Sequence, residues 1–185
     1  MSMTERWDLL DEQCRLTGKT MLRGQPVPPG YYYRFVHVFV RNSAGQLLVQ
    51  KRSQTKKSFP GTWAVTGGAV IAGETSREAA GRELAEEMGI RPPLTAFHFV
   101  DRIRLAHAFL DIWSTTTELT IDEMVLQPDE VDAARFVSPA EFVRIATPGS
   151  GRHAPAYQLA LTRYLRREGL LGTLGERPFL PCTCM

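Results

Sequence analysis

The chain has 185 residues, 43% of them apolar and 23% charged, and 22 Lys and Arg against 20 Asp and Glu leave a net charge of +2. That is globular composition for one cored domain; it excludes a strongly basic nucleic-acid coat and gives no support to membrane-surface binding by charge. No run approaches the ~18 apolar residues of a membrane span, and Met1 to Asp8 lacks the basic start and apolar run of a secretion signal. The three cysteines, Cys14, Cys182 and Cys184, suit neither a disulfide framework nor a zinc site, so we expect reduced thiols and a cytoplasmic protein. The ending Cys182-Thr183-Cys184-Met185 has the length of a prenylation signal. Its inner positions are not aliphatic and nothing upstream is strongly basic, so no lipid is expected.

In chain order, residues 1–30 read as an N-terminal extension in which Trp7 to Leu10 form a short added strand. Gly24 to Gly30, with three prolines, break any regular element. Tyr31 to Val40, rich in aromatic and β-branched residues, predicts a strand. Asn42-Ser43-Ala44-Gly45 predicts a turn, and Gln46 to Arg52 a second strand that completes a hairpin. Ser53 to Pro60 is a basic loop. A helix is predicted from Thr75 to Met88, with Thr75-x-x-Glu78 in capping-box form and Gly89 placed to stop it. Phe97 to Arg104 and Ala108 to Thr116 predict strands, and Asp129 to Val137 a loop entering a short one. Ser138 and Pro139 then start a helix as N-cap and first residue, and a last helix runs from Pro155 to Glu168. Residues 169–185 read as a loosely ordered tail after a domain spanning 31–168.

The chemistry concentrates between Gly68 and Ile90. Glu83, Glu86 and Glu87 stand at i, i+3 and i+4, on one helix face. Such like charges repel by about 0.2–0.5 kcal/mol per pair in water. The cost rises beside the apolar stripe of Ala80, Leu84 and Met88. A hard divalent cation reverses it, and magnesium favours a few carboxylates, waters and substrate phosphates over a full protein cage. Arg82 lies four residues from both Glu78 and Glu86 and can pair with them. On its own, a Glu-x-x-Glu-Glu run also suits an ordinary solvated face.

The run is not on its own. The stretch resembles the Nudix box, G-x5-E-x7-R-E-U-x-E-E-x-G-U with U aliphatic. Gly68, Glu74, Arg82, Glu83, Leu84, Glu86, Glu87, Gly89 and Ile90 fill every fixed position. A chance match is on the order of one in a billion per starting point at ordinary residue frequencies. The resemblance spans Tyr31 to Leu165 and implies an α/β/α sandwich with a mixed β-sheet between helices. It implies Mg2+ (or Mn2+) dependent cleavage of a diphosphate linkage, in a nucleoside diphosphate derivative or related organic pyrophosphate, by water attack at phosphorus. It makes Glu83, Glu86, Glu87 and the Gly67 carbonyl the metal ligands. Glu74 would approach the metal cluster, and Arg82 would orient the glutamates. The general base is a box glutamate such as Glu86 or a later loop glutamate, for which Glu130 is the best candidate. Glu118, Asp122 and Glu123 are weaker ones.

For the substrate side we expect Arg52, Lys57 and Phe59, with Lys51 and Lys56 nearby; Trp63 and Phe136 fit the core better than a base-stacking role. His37, His98, His107 and His153 have no ligand spacing. A small-molecule diphosphate is the expected partner, with no nucleic acid polymer, no membrane, and a homodimer as the expected assembly.

Two other readings are weighed. Gly45 to Arg52 and Ser58 to Trp63 are also similar to isopentenyl diphosphate isomerase, which shares the fold. That enzyme carries Cys-Gly-His where this chain reads Gly67-Gly68-Ala69, and one of its metal histidines falls near Tyr33, so the catalytic thiol and two metal histidines are missing. A non-catalytic nucleotide sensor of the same fold usually has an eroded box, and this box is intact. None of the accessory marks of the coenzyme A, NADH, ADP-ribose or dinucleoside polyphosphate subgroups is found, so the substrate stays open.

Overall fold

The structure, a computed structural model, describes residues 5–146 and 154–173. The Cys182/Cys184 tail and His153 lie outside the described residues.

The chain opens with a hairpin. Strands β1 (Arg6–Leu10) and β2 (Leu16–Leu22) pair antiparallel in a sheet of their own. The sequence reading placed one strand here; the structure has two. β2 was missed because Leu-Thr-Gly-Lys-Thr-Met-Leu carries little apolar alternation and an internal glycine. Asp11 holds the connection, its Oδ1 accepting from the backbone N–H of Gln13 and Arg15, both at 2.9 Å. Leu9, Leu10 and Met21 are buried. A backbone bridge between Leu10 and Tyr32, and Trp7 stacked on Tyr33 at 4.6 Å, tie the hairpin to the main sheet.

The main sheet is built around β3 (Tyr33–Arg41). It runs parallel to β8 (Ala108–Thr116), and β7 (His98–Arg104) pairs antiparallel outside β8. The expected hairpin between β3 and β4 (Leu47–Arg52) turns where predicted, but the two strands share one register pair, Arg41 with Leu47. Beyond it, β4 pairs with β5 (Trp63–Ala64) and β9 (Val131–Val137), while β6 (Thr66–Ala69) takes the flank of β3. Glycine makes this possible. A Cβ at Gly67 would run into the Val36 carbonyl oxygen, so only a bare backbone lies this close to β3.

Side chains of β3 alternate between two cores. Val36, Val38 and Val40 face helix α1 (Ser76–Met88), meeting Ala79, Ala80, Leu84 and Met88. Phe39 faces α2 (Pro139–Ala146) and α3 (Ala154–Arg167), meeting Phe142, Tyr157 and Tyr164. The result is the expected α/β/α sandwich with a mixed sheet. Both ends of α1 follow the sequence reading. Thr75 and Glu78 make the reciprocal cap, and Gly89 closes the helix in the left-handed conformation at φ 70°. Past α3, Leu170 and a short 3-10 turn at Leu171–Thr173 pack back onto the core, so the first residues of the expected loose tail are anchored. No helix among the described residues is long and apolar enough to cross a membrane.

Candidate active site

A charged cleft of about 190 Å3 lies where β6 meets α1. Gly67, Gly68 and Ala69 form one edge, and Glu83, Glu86 and Glu87 project from α1. Arg52 at the end of β4, Lys56 from the following loop, and Gln127 and Glu130 from the loop before β9 line a second side. Glu5 and Arg23 enter from the N-terminal hairpin. These groups come from five separate parts of the chain.

Arg82 organises the acids. Its Nε and Nη2 donate to Glu74 at 2.9 and 3.0 Å, and its Nη1 to Glu83 at 2.8 Å and Glu86 at 3.2 Å. Nη2 also reaches the Ala69 carbonyl at 2.9 Å, fixing the helix to β6. Burial works to lower the Arg82 pKa; the carboxylates of Glu74 and Glu83 outweigh it and raise it. Glu74 also accepts the Ile71 N–H at 3.1 Å and does not line the cleft. It therefore braces Arg82 rather than reaching the metal-facing cluster expected from sequence. Glu83 fits because residue 68 is glycine: a Cβ there would collide with its carboxylate.

Glu87 is the most perturbed acid. It is 4% exposed, and burial pushes its pKa to about 7, against the partial relief of a 2.8 Å hydrogen bond from Gln50. The Gly67 N–H adds a weaker contact at 3.4 Å. The Glu83 carboxyl is also raised, mainly by burial, with Arg82 opposing and the charges of Glu86 and Glu5 adding to the rise. Gln50 is itself buried, and its Oε1 has no hydrogen-bond partner. So a buried carboxylate of the cleft rests on a buried amide whose oxygen is unsatisfied, an arrangement that costs stability unless something positive arrives.

A model of the NUDIX domain matches residues 32–160, the span that carries the main sheet, α1, α2 and every cleft residue but Glu5 and Arg23. The chain belongs to the Nudix hydrolase family. It is 38% identical over 146 residues to an uncharacterized Nudix hydrolase of Listeria monocytogenes, covering 78% of this chain and 86% of that one. An isopentenyl-diphosphate delta-isomerase of Streptomyces coelicolor is 33% identical over 144 residues, covering 72% and 71%, which agrees with the similarity seen in the flanks of the box. A crystal structure from Deinococcus radiodurans superposes with a TM-score of 0.67 at 27% identity, covering 84% of this chain and 99% of that one. The protein is thus an enzyme of the pyrophosphohydrolase class.

The Nudix fold gathers some of the expected residues and leaves others out. Glu83, Glu86, Glu87, Gly67, Glu130 and Arg52 all line the cleft. Lys57 is exposed and lies off it, whereas its neighbour Lys56 reaches in and pairs with Glu130. Phe59 is 76% exposed at φ 53°, on the outer loop. Loop residues give no periodic signal to say which of two adjacent lysines turns inward. Trp63 packs under Arg135 at 4.5 Å, and Phe136 joins the α1 core. Glu123 caps Thr120. His37 bonds Tyr157 at 2.9 Å, and burial lowers its pKa to about 4, so it is a neutral core group. Sequence reasoning missed Gln50, Gln127, Glu5 and Arg23. The partners Gln50 and Glu87 lie 37 residues apart, and no local pattern announces such a pair.

Among the described residues, no three acidic, His or Cys side chains close on one point at metal-binding separation. The donor set nevertheless fits a hard divalent ion. It consists of the carboxylates of Glu83, Glu86 and Glu87 with the backbone of Gly67, and Glu87 accepts only from Gln50 and the Gly67 N–H.

Proposed function

We propose that the cleft hydrolyses an organic diphosphate with Mg2+, or Mn2+, held by Glu83, Glu86, Glu87 and the Gly67 carbonyl. The observation that carries this reading is Glu87, a buried acid whose known neighbours are Gln50 and the Gly67 N–H rather than a cation. When bound, the ion neutralises charge developing on the bridging and leaving oxygens of the diphosphate. The chain's own groups do the rest. Arg82 holds Glu83 and Glu86 in place through Glu74 and Ala69. Arg52 and Lys56 meet the phosphate oxygens. Glu130 is the general base for the attacking water, and Lys56 leaves it when phosphate arrives. A volume of about 190 Å3 is below the 300–1,000 Å3 of a site enclosing a whole organic ligand. The cleft therefore takes the phosphates, and the organic group extends outside it.

Isomerase chemistry gains nothing from these residues despite the isomerase relative. The cleft edge is Gly67, Gly68 and Ala69, and the one cysteine among the described residues, Cys14, bonds Arg34 instead. We also propose a homodimer, which light scattering of the purified protein tests directly. The functional test is product release from a panel of nucleotides, nucleotide sugars, dinucleotides and isoprenoid diphosphates, with Mg2+, Mn2+ or EDTA, using wild type and Glu87→Gln. Metal-dependent release lost in the variant supports the reading. Tight binding without release in wild type would make the protein a sensor.

A further inference from the structure

The cleft is bracketed by two ion pairs, and each pair has both members in its lining. On one side Lys56 pairs with Glu130. On the other, Arg23 Nη1 pairs with Glu5 at 2.7 Å. The second pair belongs to the N-terminal hairpin, which is not a loose appendage. The Arg6 carbonyl accepts the Ala72 N–H and the Asp8 carboxylate accepts the Gly73 N–H, both at 2.8 Å. The hairpin is thereby fastened to the loop that leads from β6 into α1. Arg23 follows β2 directly, and its own N–H is held by the Glu5 carbonyl at 2.8 Å. Trp7 Nε1 holds the Glu5 carboxylate at 2.6 Å.

The two pairs flank different box acids. The loop that carries Glu130 joins α1 at Glu87, whose carbonyl accepts the Gln127 N–H at 3.1 Å, whereas the hairpin that carries Glu5 and Arg23 is fastened to Ala72 and Gly73, ahead of the helix and nearer Glu83. Glu83 and Glu87 are one helical turn apart, about 6 Å along the axis. A substrate that draws Lys56 and Arg52 at one end therefore leaves Arg23 facing a separate position at the other. Arg23 is also poorly employed as a structural group. The side chains of Arg23 and Glu5 are 60% and 22% exposed, and such a pair contributes little to stability.

We propose that Arg23 is a substrate-binding residue, reading an anionic group beyond the scissile diphosphate. The preferred substrate is then an organic triphosphate, or a diphosphate carrying a further anionic group, over a bare organic diphosphate. This rests on the reading of the cleft as a diphosphate site. In the ligand-free cleft Glu5 occupies Arg23, and the substrate's anion replaces it.

The test is calorimetric binding, in Mg2+, of α,β-methylene-ADP and of the bis-methylene analogue of ATP, to wild type, Arg23→Gln, Arg23→Lys and Glu5→Gln. Loss of one charge-assisted contact predicts that Arg23→Gln weakens the triphosphate analogue about tenfold and the diphosphate analogue less than about twofold. Arg23→Lys recovers part of that loss. Glu5→Gln, which removes the competing acid, tightens the triphosphate analogue. A purely structural pair behaves differently, since both members then weaken both analogues alike; that result, or no change in Arg23→Gln, overturns the proposal. If Arg23→Gln does not fold, the opposite shifts in Glu5→Gln and Arg23→Lys still decide. Failure of the underlying reading is distinguishable, because wild type would then bind neither analogue.

Discussion

Asp111 in β8 and Glu87 in α1 are both buried carboxylates, 0% and 4% exposed, yet their surroundings are opposites. Asp111 receives Arg102 as a two-pronged pair at 2.6 and 2.8 Å, with Arg34 Nε a further 3.8 Å away. One anion there is served by two guanidinium groups. Around Arg82 the ratio is inverted. Arg82 alone serves Glu74, Glu83 and Glu86, and Glu87 has an amide and a weak N–H contact. A balanced network is what a fold uses to satisfy a buried charge; a surplus of one sign is what it leaves for a ligand of the other. Both networks contain arginine and carboxylate, so composition does not separate them. Charge arithmetic does.

The strongest way to break the comparison is to neutralise each carboxylate. Glu87→Gln should cost at least about 10³-fold in turnover, the size of losing a group that stabilises transition-state charge. Yet it should make the metal-free protein more stable, by about 1–3 kcal/mol at pH 8, because a buried charge is removed. The new amide also offers a donor to the unpartnered Gln50 oxygen. Asp111→Asn should do the reverse. It strands two guanidiniums and should destabilise by about 3–5 kcal/mol, while the folded fraction turns over at the wild-type rate. Urea unfolding in EDTA, beside rates per folded molecule, measures both.

Arg82→Lys sharpens the contrast at the next level. Lysine cannot replace a planar fork that meets three carboxylates and a carbonyl, so turnover should fall about 10²-fold with a loss of about 1–3 kcal/mol. Gly68→Ala tests the packing beneath. Its methyl meets the Glu83 carboxylate, so activity should fall at least about tenfold at a stability cost of about 1–3 kcal/mol. Little change in either would mean that the box acids are not held as described.

The smallest expected effect is in pH. Glu87 has its folded pKa raised to about 7 from 4.5. The folded state therefore holds a proton that the unfolded state gives up first. The associated stability is complete below pH 4.5 and is lost as pH rises through about 7. A metal-free stability profile should fall across that window in wild type and stay flatter in Glu87→Gln. His37, lowered to about 4 from 6.5, acts in the other direction, since its contribution is lost as pH falls below 6.5.

The box was legible because its chemistry is local. Arg82, Glu83, Glu86 and Glu87 sit within two turns of one helix, and their spacing alone puts them on one face. The α/β/α sandwich was legible from the same resemblance and from strand and cap signals such as Thr75, Glu78 and Gly89. What escaped is what the fold brings together from afar. β4 looked like the partner of β3 because the turn between them is real, but the glycines of β6 claim that flank. Glu5 and Arg23 lie on a hairpin whose second strand has little alternation, so nothing marked it as a wall of the cleft. Lys56 and Lys57 are equivalent in sequence and are separated only by the course of the loop.

The most direct measurement is thermal unfolding of wild type and Glu87→Gln, each in EDTA and in millimolar Mg2+. The account predicts that without metal the variant melts above wild type, and that Mg2+ raises the wild-type midpoint but not the variant's. A variant that melts below wild type in EDTA, or that gains as much from Mg2+, would contradict the claim that the cleft's surplus charge is built for a cation.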